Sequence, residues 1–180
     1  MPDEKLPGGP TQDEVLAISL QKLGLRSTDT VLEVGCGTGK VSVAMARTVK
    51  RVVSIDLRPD AVSYATEAAK MAGVHNIGFF CMDAADYIRT GEVFDCAFVG
   101  GSKHLTAMLP ELAKHVRRTI VINAVLVGTL ADVVSGLKGL GLFCEVVQVQ
   151  VSRSHDIAGS VMFRPINPVW IIVGRGSACS

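Results

Sequence analysis

The residues with the clearest chemical potential lie in the stretch EVGCGTGKV, which occupies positions 33–41. Gly35, Gly37 and Gly39 alternate there with other residues, directly after a strand-like apolar run. Glycines in a turn at the end of a buried strand let a ligand approach the backbone closely. The spacing is GxGxG and therefore differs from the GxGxxG of pyrophosphate sites. It also differs from the GxxxxGK[ST] of phosphate loops, because Val41 and not Ser or Thr follows Lys40. The turn therefore predicts a site for a ligand without a phosphate.

Two acidic residues follow later strand-like runs and complete this candidate site. Asp56 ends the run RVVSID, at the place where a carboxylate binds both ribose hydroxyls in nucleotide-binding folds. Asp83 ends the run NIGFFCMD and precedes Ala84, on the side where an adenine would lie. Together with the glycine turn, the two acids favour a ligand that contains adenosine.

The elements that must position these residues alternate between strands and helices. Predicted strands are TVLEV, RVVSID, NIGFFCMD, FDCAFVG and RTIVINAV. Predicted helices cover 11–25, 40–49, 59–73, 103–116 and 130–141, the first with a capping box from Thr11 to Glu14. This alternation predicts an α/β fold with an open, mostly parallel sheet and helices on both faces.

The end of the chain departs from this alternation. FCEVVQVQVSR and PVWIIVG are β-rich runs, and they predict an antiparallel hairpin whose strands are separated by an inserted connection at 153–167. We expect a single domain over 1–180, with 1–10 as a flexible, Pro- and Gly-rich start.

Composition narrows the classes of function. Eighteen basic and seventeen acidic residues leave a formal charge of +1, which argues against a nucleic-acid partner. The longest apolar run, TIVINAVLVG, is too short to span a membrane, and the polar start predicts no secretory signal. The five cysteines form no CxxC pair, which favours reduced thiols in the cytoplasm. The four histidines show no metal-ligand spacing, so we expect no protein-bound metal.

The pattern ExGxGxG, with Asp56 and Asp83 in order behind it, resembles the class I S-adenosylmethionine-dependent methyltransferases. The resemblance implies a Rossmann-like fold with a seven-stranded sheet and a C-terminal antiparallel hairpin. It also implies S-adenosylmethionine as methyl donor, held at the glycine turn, at Asp56 for the ribose and at Asp83 beside the adenine. A dinucleotide-dependent enzyme and a non-catalytic relic of the fold are the alternatives.

A narrower resemblance rests on GGPTQDEV, on VGGS after the fourth strand and on RSHDIAG with NPVWIIVG near the end. These stretches are similar to the family of decarboxylating C15-methyltransferases that act on cobalt-precorrin-6B in anaerobic cobalamin biosynthesis. The resemblance implies methyl transfer to C15, loss of the C12 acetate carboxylate as carbon dioxide, and a homotetramer. The donor-binding residues that the two resemblances together imply are Thr11, Glu33, Gly35, Cys36, Gly37, Thr38, Gly39, Asp56, Asp83 and Ala84.

A corrin precursor carries many carboxylates, for which arginines are suitable partners. Candidate substrate-binding residues flank the late connection and the VGGS turn: Gly101, Ser102, Lys103, Arg153 and Arg164. His104 and His155 are candidate proton carriers for the decarboxylation, which could also proceed without a dedicated residue. Three other functions remain open from the residues alone: RNA methylation, isoaspartate-type protein methylation and a non-catalytic donor-binding subunit.

Overall fold

The computed structural model describes residues 9–101 and 105–176, and nine strands and six helices lie within them. The strands are β1 (Thr30–Val34), β2 (Arg51–Asp56), β3 (Ile77–Cys81), β4 (Phe94–Val99), β5 (Val116–Ala124), β6 (Phe143–Val149), β7 (Ser152–Ile157), β8 (Ser160–Pro165) and β9 (Val169–Arg175). The helices are α1 (Asp13–Leu23), α2 (Lys40–Ala46), α3 (Pro59–Met71), α4 (Ala84–Ile88), α5 (Leu105–His115) and α6 (Val127–Gly139).

Seven strands form one sheet in the order β3-β2-β1-β4-β5-β9-β6. The first five strands of the chain are parallel, and β9 runs antiparallel to both β5 and β6. The predicted α/β fold is therefore confirmed. From β1 the chain moves outward to β3 and then returns to β4 on the other side of β1. Ligands of such sheets bind at this reversal, beyond the carboxyl ends of the strands.

Two apolar cores lie on opposite faces of the sheet, because side chains alternate along each strand. Leu32 belongs to the core that is covered by α4, α5 and α6. Its neighbour Val31 belongs to the second core, which α1 and α2 cover with Val15 and Met45. Strands buried on both faces need continuous apolar runs, and this requirement explains why TVLEV and FDCAFVG contain so few polar residues.

The structure differs from the predicted elements in two places. α4 is absent from the prediction, because five residues are too few for a helical period to show. The β-rich run at 143–153 forms parts of two strands in different sheets: β6 joins the main sheet, whereas β7 pairs with β8. A run of β-forming residues does not specify its pairing partner, since pairing depends on the tertiary fold.

The capping box predicted at the start of α1 is wrong. The N-cap residue is Gln12, which makes no side-chain capping hydrogen bond, and Thr11 lies one residue earlier. Gly24 ends the helix in the left-handed conformation, as the sequence predicted.

The segment between β6 and β9 consists of β7 and β8, which form a two-stranded sheet of their own. We call this pair of strands the arm. It occupies the stretch in which the sequence places an inserted connection. The division into one domain with an inserted connection at 153–167 and a flexible start stays a prediction.

Candidate functional site

The glycine turn leaves β1 and crosses the carboxyl end of β2. The backbone N–H groups of Gly35 and Cys36 both donate to the carbonyl of Ile55, at 2.7 and 3.2 Å. The three glycines have positive φ angles: 86° at Gly35, 50° at Gly37 and 75° at Gly39. Side chains rarely tolerate this region, so the turn depends on glycine at all three positions.

The three glycines differ in what a side chain would meet. A Cβ at Gly35 would lie 2.7 Å from the backbone N of Gly101, and one at Gly39 would lie 2.8 Å from the Cα of Ala65. A Cβ at Gly37 would meet nothing within 4 Å. Two of the glycines therefore permit close packing within the protein, and Gly37 alone of the three leaves open space for a ligand.

Asp56 stands at the carboxyl end of β2 with only 7% of its surface exposed. Its Oδ2 accepts hydrogen bonds from the Gly37 N–H and from Nη2 of Arg58, both at 3.1 Å. Its Oδ1 accepts from the backbone N–H and Nε of Arg58, also at 3.1 Å. Burial by itself raises the pKa of Asp56, but the Arg58 and Gly37 hydrogen bonds outweigh burial and hold the pKa below its usual value. Asp56 is therefore a carboxylate at neutral pH.

Two adjoining cavities lie beside the turn. A larger one of about 420 Å³ is lined by Asp56, Leu57, Met82, Asp83, Ala84 and Met108, among others. A smaller one of about 150 Å³ is lined by Gly9, Thr11, Cys36, Gly37, Thr38 and Lys40, among others. Both share Gly35, Arg58, Gly100 and Gly101 in their walls. Eight of the ten donor-binding residues predicted from the sequence therefore line these two adjoining cavities, and Glu33 and Gly39 line neither.

Asp83 is the N-cap residue of α4, and its Oδ1 accepts a hydrogen bond of 2.8 Å from the Ala85 N–H. This helix, which the sequence analysis missed, turns Asp83 and Ala84 toward the larger cavity. The mostly apolar neighbours Leu57 and Met82 complete a wall that suits a flat heterocycle.

Thr11 is held over the turn by Lys40, a residue for which the sequence suggested no role. Nζ of Lys40 donates to the Thr11 carbonyl at 2.6 Å and forms an ion pair with Oδ1 of Asp13 at 2.7 Å. The only sequence signal for Lys40 was its place directly after the last glycine of the turn.

Glu33 lies behind the turn rather than in the wall of either cavity, and it is fully buried. Its Oε2 accepts hydrogen bonds from Ser42 and Ser54, the latter at 2.5 Å. In the described part of the chain, its Oε1 has no hydrogen-bond partner. Burial raises the pKa of Glu33 to about 7, although the two serine hydroxyls oppose this effect. Its predicted role in donor binding stays a prediction.

Glu33→Gln should stabilise the protein increasingly as the pH rises. An unfolded glutamate ionises near 4.5, whereas folded Glu33 keeps its proton up to about pH 7, so wild type loses stability between these values. The loss reaches about 3 kcal/mol above pH 7, and glutamine, which does not titrate, avoids it. Urea unfolding of both proteins between about pH 5 and pH 8 measures this difference in free energy of unfolding. A difference that is constant with pH would contradict the expectation.

The Cys36 thiol lies beside two acidic side chains. Burial, together with the nearby Glu33 and Asp56 carboxyls, raises the pKa of the Cys36 thiol to about 12. A thiol that is protonated at neutral pH is a poor nucleophile.

The predicted substrate-binding residues are only partly brought together. Gly101 lines both cavities, whereas Ser102, Lys103 and His104 lie outside the described residues. Arg153 and Arg164 face each other in register across the arm. Nη2 of Arg153 already donates to Oε2 of Glu14 at 2.9 Å and to Oε1 of Gln12 at 3.1 Å.

His155 lies on β7 and is partly buried. Among residues 9–101 and 105–176, its Nδ1 finds no hydrogen-bond partner. The same residues contain no group of three or more His, Cys, Asp or Glu side chains placed to hold a metal ion. No helix within them has the length and apolarity needed to cross a membrane.

The chemistry of the site fits an adenosyl sulfonium. Asp56 is an ionised acceptor at the place for ribose hydroxyls, and the larger cavity has an apolar slot beside Asp83. Each Asp56 oxygen already accepts two hydrogen bonds, so ribose hydroxyls would bind there by replacing the hydrogen bonds from Arg58. The open space at Gly37 can accept an extended part of the ligand directly beside the glycine backbone. A dinucleotide would instead need the pyrophosphate seat of a GxGxxG turn, which this turn does not provide.

Comparison with known proteins agrees with this chemistry. The family model described as precorrin methyltransferase domain matches residues 6–174. A protein of Methanosarcina acetivorans named "Probable cobalt-precorrin-6B C(15)-methyltransferase (decarboxylating)" is 44% identical, over 95% of this chain and 96% of its own length. A protein of Methanosarcina mazei with the same name is 42% identical, over 93% of this chain and 94% of its own.

Comparison with solved structures supports the same family. A precorrin 8W decarboxylase from Methanobacterium thermoautotrophicum has a TM-score of 0.89 and 28% identity, covering 94% of this chain and 92% of its own. A tRNA (m1A58) methyltransferase from Aquifex aeolicus has a TM-score of 0.67 at 19% identity, over 93% of this chain and 76% of its own, and shows only a shared fold. The two resemblances stated from the sequence are confirmed: this chain belongs to the precorrin methyltransferase domain family.

Proposed function

We propose that this protein transfers a methyl group from S-adenosylmethionine to C15 of cobalt-precorrin-6B and removes the C12 acetate carboxylate as carbon dioxide. The observation that carries the proposal is the pair of adjoining cavities. The larger one contains the Asp56 carboxylate and an apolar slot for an adenine, and the smaller one is lined by the open backbone of the glycine turn. The high identity to proteins named for this reaction supports the choice of substrate.

The two cavities are proposed to hold different parts of the donor. Asp56 holds the ribose and Asp83 and Ala84 flank the adenine in the larger cavity. Thr11, Cys36, Gly37 and Thr38 surround the methionine part in the smaller one. The bound donor supplies an electrophilic methyl group on a positively charged sulfur.

The protein contributes alignment to the methyl transfer. Gly35, Gly100 and Gly101 make up most of the wall common to both cavities, with Arg58 as its fourth residue, so a flat substrate can approach the glycine side of the junction closely. Correct alignment of reacting atoms lowers a barrier by about 7–11 kcal/mol. An electron-rich, enamine-type carbon such as C15 needs no strong base, which agrees with a junction built mainly from backbone.

The decarboxylation breaks the bond between the acetate methylene and its carboxylate. The electron pair of this bond passes into the conjugated macrocycle, carbon dioxide leaves, and the methylene carbon becomes a methyl group by taking up a proton. His155 and His104 are the proposed proton carriers. Arg164 on β8, together with Ser102 and Lys103 after Gly101, is proposed to hold peripheral carboxylates of the substrate. No protein-bound metal is invoked.

Incubation with methyl-labelled S-adenosylmethionine and cobalt-precorrin-6B tests the proposal. We expect one label per product molecule by mass spectrometry and an equal amount of released carbon dioxide. Label on RNA or on an isoaspartyl peptide, with none on the corrin precursor, would refute the proposal. Binding of the donor without any transfer would instead identify a non-catalytic subunit.

We further propose a homo-oligomer, a tetramer as the family resemblance implies, assembled through the arm in the cytoplasm. The arm exposes the large apolar side chains Ile157, Val161, Met162 and Phe163. A two-stranded sheet is only marginally stable by itself, and apolar surface of this kind favours burial against another subunit. Free thiols at Cys36, Cys81, Cys96 and Cys144 suit a reducing compartment.

Phe163→Asp should weaken this assembly. Phe163 is 68% exposed, so the substitution leaves the core of the subunit intact but places a charge in the proposed interface. Sedimentation velocity should show a larger particle for wild type than for the variant at the same protein concentration. Equal sedimentation of the two proteins would exclude the arm as the main contact between subunits.

A further inference from the structure

We infer that Arg153 is a positioning residue of the donor site, acting through residues 9–14, which we call the strap. The substrate contact that the sequence predicted for Arg153 stays a prediction beside this role. The inference rests on the proposed binding of S-adenosylmethionine, and it adds a link between the arm and the donor cavity.

The strap forms part of the smaller cavity. Gly9 and Thr11 lie in its wall together with Cys36, Gly37 and Thr38 of the glycine turn. The strap continues directly into α1, where the Gln12 carbonyl accepts a hydrogen bond of 2.8 Å from the Leu16 N–H. A displacement of the strap would therefore open the cavity that is proposed to hold the methionine part of the donor.

One anchor ties the strap to the turn. Nζ of Lys40 binds the Thr11 carbonyl at 2.6 Å and the Asp13 carboxylate at 2.7 Å. This anchor holds the middle of the strap directly beside the glycines, since Lys40 is the first residue of α2.

The second anchor comes from the arm. Nη2 of Arg153 donates to the Gln12 and Glu14 side chains, which lie 141 and 139 positions away in sequence. In the described part of the chain, β7 pairs with β8 alone and is not hydrogen-bonded to the main sheet. Arg153 therefore links the strap to an element outside the main sheet. A displacement of the arm would also displace the strap residues that line the smaller cavity.

The link also explains why two charged residues of α1 point in different directions. Asp13 pairs with Lys40 on the side of the turn, while Glu14 pairs with Arg153 on the side of the arm. Successive residues of a helix lie about 100° apart, so the adjacent acids reach two partners on separate elements.

Calorimetric titration with S-adenosylhomocysteine tests the inference without any corrin substrate. We expect Arg153→Met and Glu14→Gln each to raise the Kd about two- to fivefold, the range for a partly exposed ion pair. The double variant should bind no more weakly than the weaker single variant, because both changes break the same contact. Arg153→Glu combined with Glu14→Arg should restore part of the affinity.

The matched control is Arg117→Met, which removes an exposed arginine from an ion pair with Asp95 outside the strap. Its Kd should equal that of wild type. If Arg153→Met and Glu14→Gln both bind as tightly as wild type, or if their effects add fully, the positioning role is wrong. If wild type itself fails to bind S-adenosylhomocysteine, the proposed function fails together with this inference.

The Glu14→Gln variant separates the inference from an effect on assembly. Glu14 belongs to α1 and not to the arm, so its loss should raise the Kd while sedimentation stays unchanged. A rise in Kd that occurs only in variants with altered sedimentation would assign the effect to the oligomer and overturn the inference.

Discussion

Asp56→Ala is expected to weaken the binding of S-adenosylhomocysteine about tenfold to hundredfold. The ionised carboxylate at the end of β2 is the proposed partner of both ribose hydroxyls, and a hydrogen bond to a charged group contributes about 1.5–3 kcal/mol. The substitution also removes the acceptor of the Gly37 N–H and of the Arg58 guanidinium. Isothermal titration calorimetry at neutral pH measures the change in Kd directly.

Two variants sharpen this test. Asp56→Asn keeps the shape of the side chain but loses its charge, so an intermediate Kd would attribute part of the effect to the charge-assisted bonds. Glu67→Ala removes an exposed carboxylate from α3, the helix that follows Asp56, and should leave the Kd unchanged. A Kd for Asp56→Ala within twofold of wild type would remove the ribose assignment.

Gly37→Val is expected to abolish donor binding while the protein stays folded. Gly37 has open space where a Cβ would stand and lines the smaller cavity, so the valine Cβ collides with no protein atom and the side chain is expected to fill part of that cavity. Its φ of 50° strains a branched side chain, at a cost of about 1–3 kcal/mol in stability. Calorimetry should detect no binding, and circular dichroism should match that of wild type.

The neighbouring glycines provide the matched comparison. Gly39→Val should fail to fold, because its Cβ would lie 2.8 Å from the Ala65 backbone. Gly37→Ala carries a similar backbone strain but a smaller side chain, so it should retain measurable affinity. Equal loss of binding in Gly37→Ala and Gly37→Val would mean that strain moves the turn, and that occlusion of the cavity is not the cause.

Much of the fold was predictable because the signals that specify it are local. Apolar runs of strand length alternate with helical periods from β1 to α6. Buried parallel strands are easy to recognise because they consist of nearly continuous apolar residues. Elements without a local signal were missed. α4 is too short to show a period, and the separation of β7 from β6 depends on which strand each one pairs with.

The candidate site was predictable to the same extent. The glycine turn, Asp56 and Asp83 follow directly from the rule that ligands bind at strand ends, and the structure brings them to two adjoining cavities. The partners of Lys40 and Arg153 could not be predicted, since each contact joins residues far apart in the chain. Charged side chains at an exposed position look alike in sequence, whether they bind a substrate or another part of the protein.

The sequence by itself determined most of the order of the strands and helices, the place of the glycine turn and the family to which the chain belongs. These properties depend on which residue types lie a few positions apart, and this local pattern is present in the sequence before the chain folds. Only the tertiary structure decided that Gly35 and Gly39 permit close packing while Gly37 leaves open space, because all three look identical until the backbone of Gly101 and Ala65 lies against two of them. It also decided that Arg153 reaches the strap, since that contact exists only once the arm and α1 lie side by side.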